Sequence, residues 1–160
     1  MAKTSRAYKQ GLFIPRNPQK YTGDVSNIVY RSSWELRTFE WADMNPAVLS
    51  WSSEETVIPY LSKVDGRYHR YFIDLKLKIR GTDGEIKEYI VEIKPFQQTQ
   101  PPKFPGRQTP RYLKEVETFV TNQSKWEAAE LYAKERKMKF VILTEKELFG
   151  VNNGSTKHTG

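Results

Sequence analysis

Asp74, Glu92 and Lys94 are the residues of this sequence whose types and spacing point most directly to chemistry. Glu92 and Lys94 sit two apart in Val91-Glu92-Ile93-Lys94-Pro95. On a strand that spacing sends both side chains to one face. Asp74, in Tyr71-Phe72-Ile73-Asp74-Leu75, falls on the preceding strand of an expected hairpin, where its charged face can coincide with theirs. Two carboxylates held together make a hard oxygen site suited to Mg²⁺ or Mn²⁺. Such an ion polarises a phosphodiester oxygen and lowers the pKa of a bound water. Lys94 would then orient that water or stabilise charge developing on phosphorus. The plainer alternative is an ion-paired sheet surface, since cross-strand Asp–Lys pairs and alternating Glu and Lys are ordinary there. Context favours the first reading. Both strands are apolar on the opposite face, and burying two carboxylates together without a cation is costly.

The elements that must position these residues can be read from pattern. Ser32-Ser33-Trp34-Glu35 is a capping-box sequence and opens a helix over 32–44, with Trp34, Thr38 and Trp41 on one face and Phe39 beside it. Asn45-Pro46 ends it. Glu55 to Tyr60 reads as a short edge strand because of Pro59. Arg70 to Arg80 alternates as one strand, with Ile73, Leu75, Leu77 and Ile79 one way and Phe72, Asp74, Lys76 and Lys78 the other. Gly81 to Gly84 is a turn. Ile86 to Lys94 puts Tyr89, Val91 and Ile93 on one face and Glu88, Ile90, Glu92 and Lys94 on the other. Residues 95–108 form a Pro- and Gln-rich loop of the long kind that tends to be functional. Thr109-Pro110 starts a helix with Tyr112, Val116, Phe119 and Val120 as its buried stripe. A second helix is expected over about Ser124 to Lys137, carrying Trp126, Ala129 and Ala133 inward. Phe140 to Leu143 is a short apolar strand, expected to be central. Glu145 to Phe149 adds a helical turn. The fold class is α/β, a mixed, mostly antiparallel sheet of four to five strands with helices on both faces.

Bulk properties set limits. The 160 residues suffice for one domain. No stretch approaches the roughly 20 apolar residues of a membrane span, and no apolar run follows Met1 to Arg6, so no secretory signal is expected. The absence of cysteine removes disulfides and thiolate metal sites. His69 and His158 are the only histidines, too few for a typical zinc or histidine-based centre. There is no nucleotide-binding glycine motif and no G-x-S-x-G elbow. A net charge of +7 favours polyanions, above all nucleic acid. Residues 1–24 read as a basic arm with Lys3, Arg6, Lys9, Arg16 and Lys20, either laid along phosphates or solvated. Residues 25–150 form the domain, and 151–160 a loose tail.

Glu35 in a helix, Asp74 after Tyr71-Phe72-Ile73, and Glu92-Ile93-Lys94 follow the order of the PD-(D/E)XK nucleases, which this chain resembles over roughly residues 25–149. The TnsA-like branch, with its transposon endonucleases and related phage head completion nucleases, is the most similar. Tyr30 to Arg37, Glu54 to Tyr60 and His69 to Asp74 look like the phage members in particular. Ile73 stands where that family usually has proline. The resemblance implies a restriction-endonuclease-like core. It implies Asp74, Glu92 and the Ile93 carbonyl as Mg²⁺ ligands, with Mn²⁺ as a substitute, and Lys94 positioning the attacking water. Glu35 would be a further ligand or water-orienting acid, or only the helix cap.

Lys76, Gln97, Gln98 and Lys125, with Arg16 and Lys20 from the arm, are candidate DNA contacts. The resemblance implies an endonuclease on double-stranded DNA and, as for the phage members, a head completion protein processing DNA during or after packaging. Portal or neck proteins of the capsid would be its partners. It would act in the host cytoplasm during assembly or in the virion head. Two other readings stay open: a DNA-binding structural head completion protein that does not cut, and a dimeric resolvase of branched DNA.

Overall fold

The computed structural model describes residues 10–150. Strand β1 (Gly11–Leu12) pairs antiparallel with β2 (Val29–Tyr30). Helix α1 (Ser33–Met44) leads into five strands: β3 (Val48–Ser52), β4 (Val57–Leu61), β5 (Tyr68–Phe72), β6 (Leu75–Arg80) and β7 (Ile86–Ile93). Helix α2 (Pro110–Glu135), strand β8 (Lys139–Leu143) and the short helix α3 (Glu145–Phe149) complete the order. The main sheet runs β3-β6-β7-β8, with the first three antiparallel and β8 parallel to β7. This is the mixed, helix-flanked sheet expected of a restriction-endonuclease-like core. No helix among the described residues is long and apolar enough to cross a membrane.

The alternation of β7 divides the interior in two. Val91, with Tyr89 and Ile93 beside it, faces α1, where Phe39 and Ala42 pack with Trp51, Leu75 and Leu77. Ile90 faces α2, where Trp126, Ala129 and Ala133 pack with Ile58, Tyr71 and Ile73. A strand clothed on both faces carries apolar residues at consecutive positions, and Ile90 and Val91 are both buried.

Several elements depart from the sequence reading. The strand expected over 70–80 is two strands, broken at Ile73–Asp74. The break changes sides: Tyr71 and Ile73 join the core under α2, whereas Leu75 and Leu77 join the one under α1. Strand β5 therefore leaves the main sheet and pairs with β4 alone. Strand β3 was not foreseen, because a bulge between Val48 and Ser50 interrupts its alternation. The two helices expected after Thr109 are one continuous helix. Asn122 and Ser124 looked like a boundary, yet both are buried, and the Ser124 hydroxyl accepts from the Lys63 amide of the β4–β5 turn. At 26 residues α2 is about 39 Å long. Strand β7, with 8 residues, spans about 27 Å. The N-terminal part of α2 thus outruns the sheet, and Tyr112, Val116, Phe119 and Val120 are half-buried rather than buried.

Strand β8 is an edge strand, not a central one. Its apolar run reflects cover on two faces, by α2 on one side and by the neighbourhood of α3 on the other. Trp41 is 45% exposed, because the buried stripe of α1 is Thr38, Phe39, Ala42 and Asp43. The basic arm expected through residue 24 is, from residue 11, part of the packed domain. Phe13 meets Phe39 and Trp51 edge-on, and Tyr21 meets Trp51. Lys3, Arg6, Lys9 and the tail with His158 lie outside the described residues.

Phe39 is fully buried and touches two other rings, so its truncation leaves a cavity that the surrounding rings cannot fill. Phe39→Ala should cost about 3–5 kcal/mol of unfolding free energy, read from denaturant melts.

Candidate active site

A tight turn sets the register of the site. The Gly84 amide donates to the Gly81 carbonyl at 2.9 Å, and Gly84 takes φ +86°, a conformation that favours glycine. Strands β6 and β7 then pair with Leu75 opposite Val91. One step further, the chain bends at Asp74 beside Glu92. Because β6 begins only at Leu75, the Ile93 amide finds no ladder carbonyl on that side. The Asp74 carboxylate takes that place, and Oδ2 accepts from Ile93 N at 2.8 Å.

Glu92 is held from two directions. Tyr71 donates its hydroxyl to Oε1 in a short hydrogen bond. Lys94 Nζ lies 3.1 Å from Oε2. The Glu92 side chain is only 8% exposed, so water screens this pair poorly. The Lys94 amide donates to the Leu143 carbonyl at 3.0 Å, which fixes the lysine backbone against the edge strand.

Glu35 enters from the first turn of α1. Its amide donates to the Ser32 hydroxyl at 3.1 Å, as a capping residue should. Its carboxylate reaches past the cap: Oε1 accepts from the Arg31 amide at 2.8 Å rather than from Ser32. Cap bonding engages one carboxylate oxygen and leaves Oε2 outside it. The Arg31 side chain meanwhile pairs with Glu54 at 2.9 Å.

The electrostatics follow from crowding. Burial, then the neighbouring Glu92 and more distantly Glu35, raise the Asp74 carboxyl well above its ordinary range, against the Ile93 amide and Lys94. Burial also raises Glu35, with Glu54 and Glu92 adding to it and Arg31 opposing. The Tyr71 hydroxyl is pushed far up, first by burial and then by Glu92, so it stays a neutral donor.

The donor set is hard oxygen throughout, with neither thiolate nor imidazole. Among the described residues no group of three or more His, Cys, Asp or Glu side chains is disposed to hold an ion by itself. Asp74 and Glu92 form a pair, and Glu35 is near enough to raise Asp74 without joining a three-carboxylate cluster. Such a pair fits a cation that keeps several of its own waters, as Mg²⁺ does.

The other sequence candidates divide. Lys76 pairs across from Ile90, on the Glu92 side of the sheet. Gln97 and Gln98 are exposed on the 3-10 turn Phe96–Thr99 that follows Lys94. Lys125 lies in the middle of α2, not near a helix start, with Nζ 5.5 Å from the Tyr71 ring. Arg16 and Lys20 are not brought to this place. The Arg16 amide binds the Asp43 carboxylate, and Lys20 Nζ donates to the Asp43 and Asn45 carbonyls at the end of α1. That end is about 12 Å along the helix axis from Glu35. Sequence reasoning gave Tyr71 no role. The only signal was its place three residues before Asp74, and that became informative only once the bend at Asp74 was known.

Asp74 releases its proton less readily folded than unfolded. The folded state therefore binds more protons between the ordinary carboxyl pKa and the raised one, and stability falls as pH rises through that window. Asp74→Asn keeps an acceptor for Ile93 and removes the charge. Without metal it should melt above the wild type at neutral pH, and the two should converge as pH drops towards about 4, in thermal melts across pH.

Residues 45–145 match the TnsA-like endonuclease N-terminal domain. The chain is also 43% identical over 142 residues to the head completion nuclease of Enterobacteria phage T4, across 86% of this chain and 92% of that one. The match takes in β3 through β8, and with them Asp74, Glu92 and Lys94. By these matches the chain belongs to the TnsA-like endonuclease family.

Proposed function

We propose that this chain is a Mg²⁺-dependent endonuclease that hydrolyses phosphodiester bonds of double-stranded DNA. It serves as a phage head completion protein that processes DNA during or after packaging. The observation that carries the reading is the meeting of Asp74, Glu92 and Lys94, with Ile93 N–H on Asp74 and Lys94 on Glu92. The similarity to a head completion nuclease supports the biological setting. That setting is the host cytoplasm during assembly and the virion head, with portal or neck proteins as neighbours.

Asp74, Glu92 and the Ile93 carbonyl are the groups that would hold the ion, and Mn²⁺ would substitute for Mg²⁺. When bound, the ion supplies Lewis acidity to the phosphate and an acidified water. The protein contributes the rest. Ile93 N–H fixes the Asp74 carboxylate through Oδ2 and leaves Oδ1 outside that bond. Lys94, tied to Leu143 through its backbone, presents a cation where a nucleophilic water or a negatively charged phosphorane oxygen can be stabilised. Glu35 keeps one oxygen outside the cap bond to orient water. Lys76, Gln97, Gln98 and Lys125 are candidates to meet the DNA around this point. The overall charge of +7 favours its approach.

Supercoiled plasmid and branched DNA should be incubated with Mg²⁺, Mn²⁺ or EDTA. Wild-type protein should cut with either ion and not with EDTA. Lys94→Ala and Asp74→Ala should lose on the order of 10²–10³ in rate while melting cooperatively. No cutting by the wild type would leave a DNA-binding protein without catalysis, and cutting that survives both substitutions would place the reaction centre away from Asp74 and Lys94. Strong preference for branched substrate would move the reading to a resolvase.

A further inference from the structure

Tyr71 is buried, close to the carboxylates, and has no place in the chemistry above. Its ring belongs to the core under α2, with Trp126, Ile73 and Ile90. Its hydroxyl does not turn to water. It donates to Glu92 Oε1, while Lys94 takes Oε2. A carboxylate with one donor can still pivot about its last torsion, which is broad and soft. A carboxylate with a donor on each oxygen has its plane fixed, and with it the direction of the lone pairs left for a cation.

Three further contacts hold the tyrosine itself. Tyr60 meets its ring edge-on at 6.5 Å between centroids. Lys125 Nζ sits 5.5 Å from its ring centroid. The Trp126 indole N–H is buried and comes towards the Tyr71 oxygen without completing a hydrogen bond. The break between β5 and β6 is what makes this possible. In an unbroken strand Tyr71 and Asp74, three apart, would point to opposite faces. Here the bend at Asp74 lets both approach Glu92.

We propose that Tyr71 is a positioning residue that orients the Glu92 carboxylate for a divalent cation, through the hydrogen bond from its hydroxyl to Oε1. The inference rests on the nuclease reading. It adds a requirement which that reading does not contain: cation affinity depends on a neutral hydroxyl that touches neither ion nor DNA. Groups of this kind typically change metal affinity by about 10–100-fold when removed.

The test is Tyr71→Phe, which keeps the ring and its packing and deletes the hydroxyl. Tyr60→Phe is the control, since Tyr60 packs in the same cluster and has no bond to Glu92. Mn²⁺ binding without DNA is measured by electron paramagnetic resonance or calorimetry, beside the Mg²⁺ dependence of cleavage. Tyr71→Phe should weaken Mn²⁺ binding by about tenfold or more and raise the Mg²⁺ concentration for half-maximal cleavage by a similar factor. The KM for DNA at saturating Mg²⁺ should be unchanged, and Tyr60→Phe should behave as wild type.

In the wild type, Mg²⁺ should also shift the near-ultraviolet absorption of a tyrosine. This readout needs no variant and covers the case in which Tyr71→Phe folds poorly. A wild type that binds Mn²⁺ and cleaves, with Tyr71→Phe binding equally well, overturns this inference and leaves the nuclease reading intact. So does a wild type without the absorption change. A wild type that neither binds Mn²⁺ nor cleaves overturns both.

Discussion

Two acids packed side by side with little water between them is the condition the structure is organised around. Two unit charges about 4 Å apart repel by roughly 4 kcal/mol at an effective dielectric of about 20. Four donors stand against that cost. Ile93 N–H meets Asp74, Tyr71 and Lys94 meet Glu92, and Arg31 N–H meets the third acid, Glu35. Each hydrogen bond to a charged group contributes on the order of 1.5–3 kcal/mol. These donors hold the carboxylates in place without neutralising them. Burial first, and then the neighbouring Glu92, still raise Asp74. A cation held between the acids, as proposed above, would offset that repulsion.

Two different kinds of structure deliver these donors. The β6–β7 turn is local: a glycine at positive φ fixes the pairing, and the pairing fixes Asp74 beside Glu92. Such geometry could be read from sequence. The two-residue spacing of Glu92 and Lys94 has one outcome on a strand, and the Gly-rich turn leaves few registers. The alternation of β7 named its two faces correctly for the same reason. The helix ahead of the hairpin was equally legible, because Ser32 and Glu35 cap through short-range bonds.

What was not legible depended on partners distant in the chain. The period-two pattern ran smoothly through Phe72, Asp74 and Lys76 and concealed the bend between β5 and β6. That bend is imposed by the separate β4–β5 ribbon packing on α2. Asn122 and Ser124 looked like a helix boundary because both are polar, yet both are buried, and the Ser124 partner on the β4–β5 turn is far away in sequence. Phe140 to Leu143 signalled burial on both faces, which a strand at the rim satisfies when helices cover it. Lys20 read as a phosphate contact on charge alone. The chain instead uses the Lys20 ammonium to finish the C-terminal end of α1, where the Arg16 amide also binds and leaves the guanidinium exposed. Charge counts a side chain but does not say whether a carbonyl already holds it.

The bond from Lys94 N to the Leu143 carbonyl bears on how the protein is made. The two acids can approach each other as soon as one hairpin closes, an event of short loop length. The lysine is anchored only when a strand near the end of the domain docks in parallel, across the 26 residues of α2, and closures of that length are slow. During synthesis the ribosome releases Asp74 and Glu92 well before Leu143. A nascent or truncated chain therefore carries the acids without an anchored lysine. If Lys94 has the role proposed above, the last part of the site to be completed would be its cation.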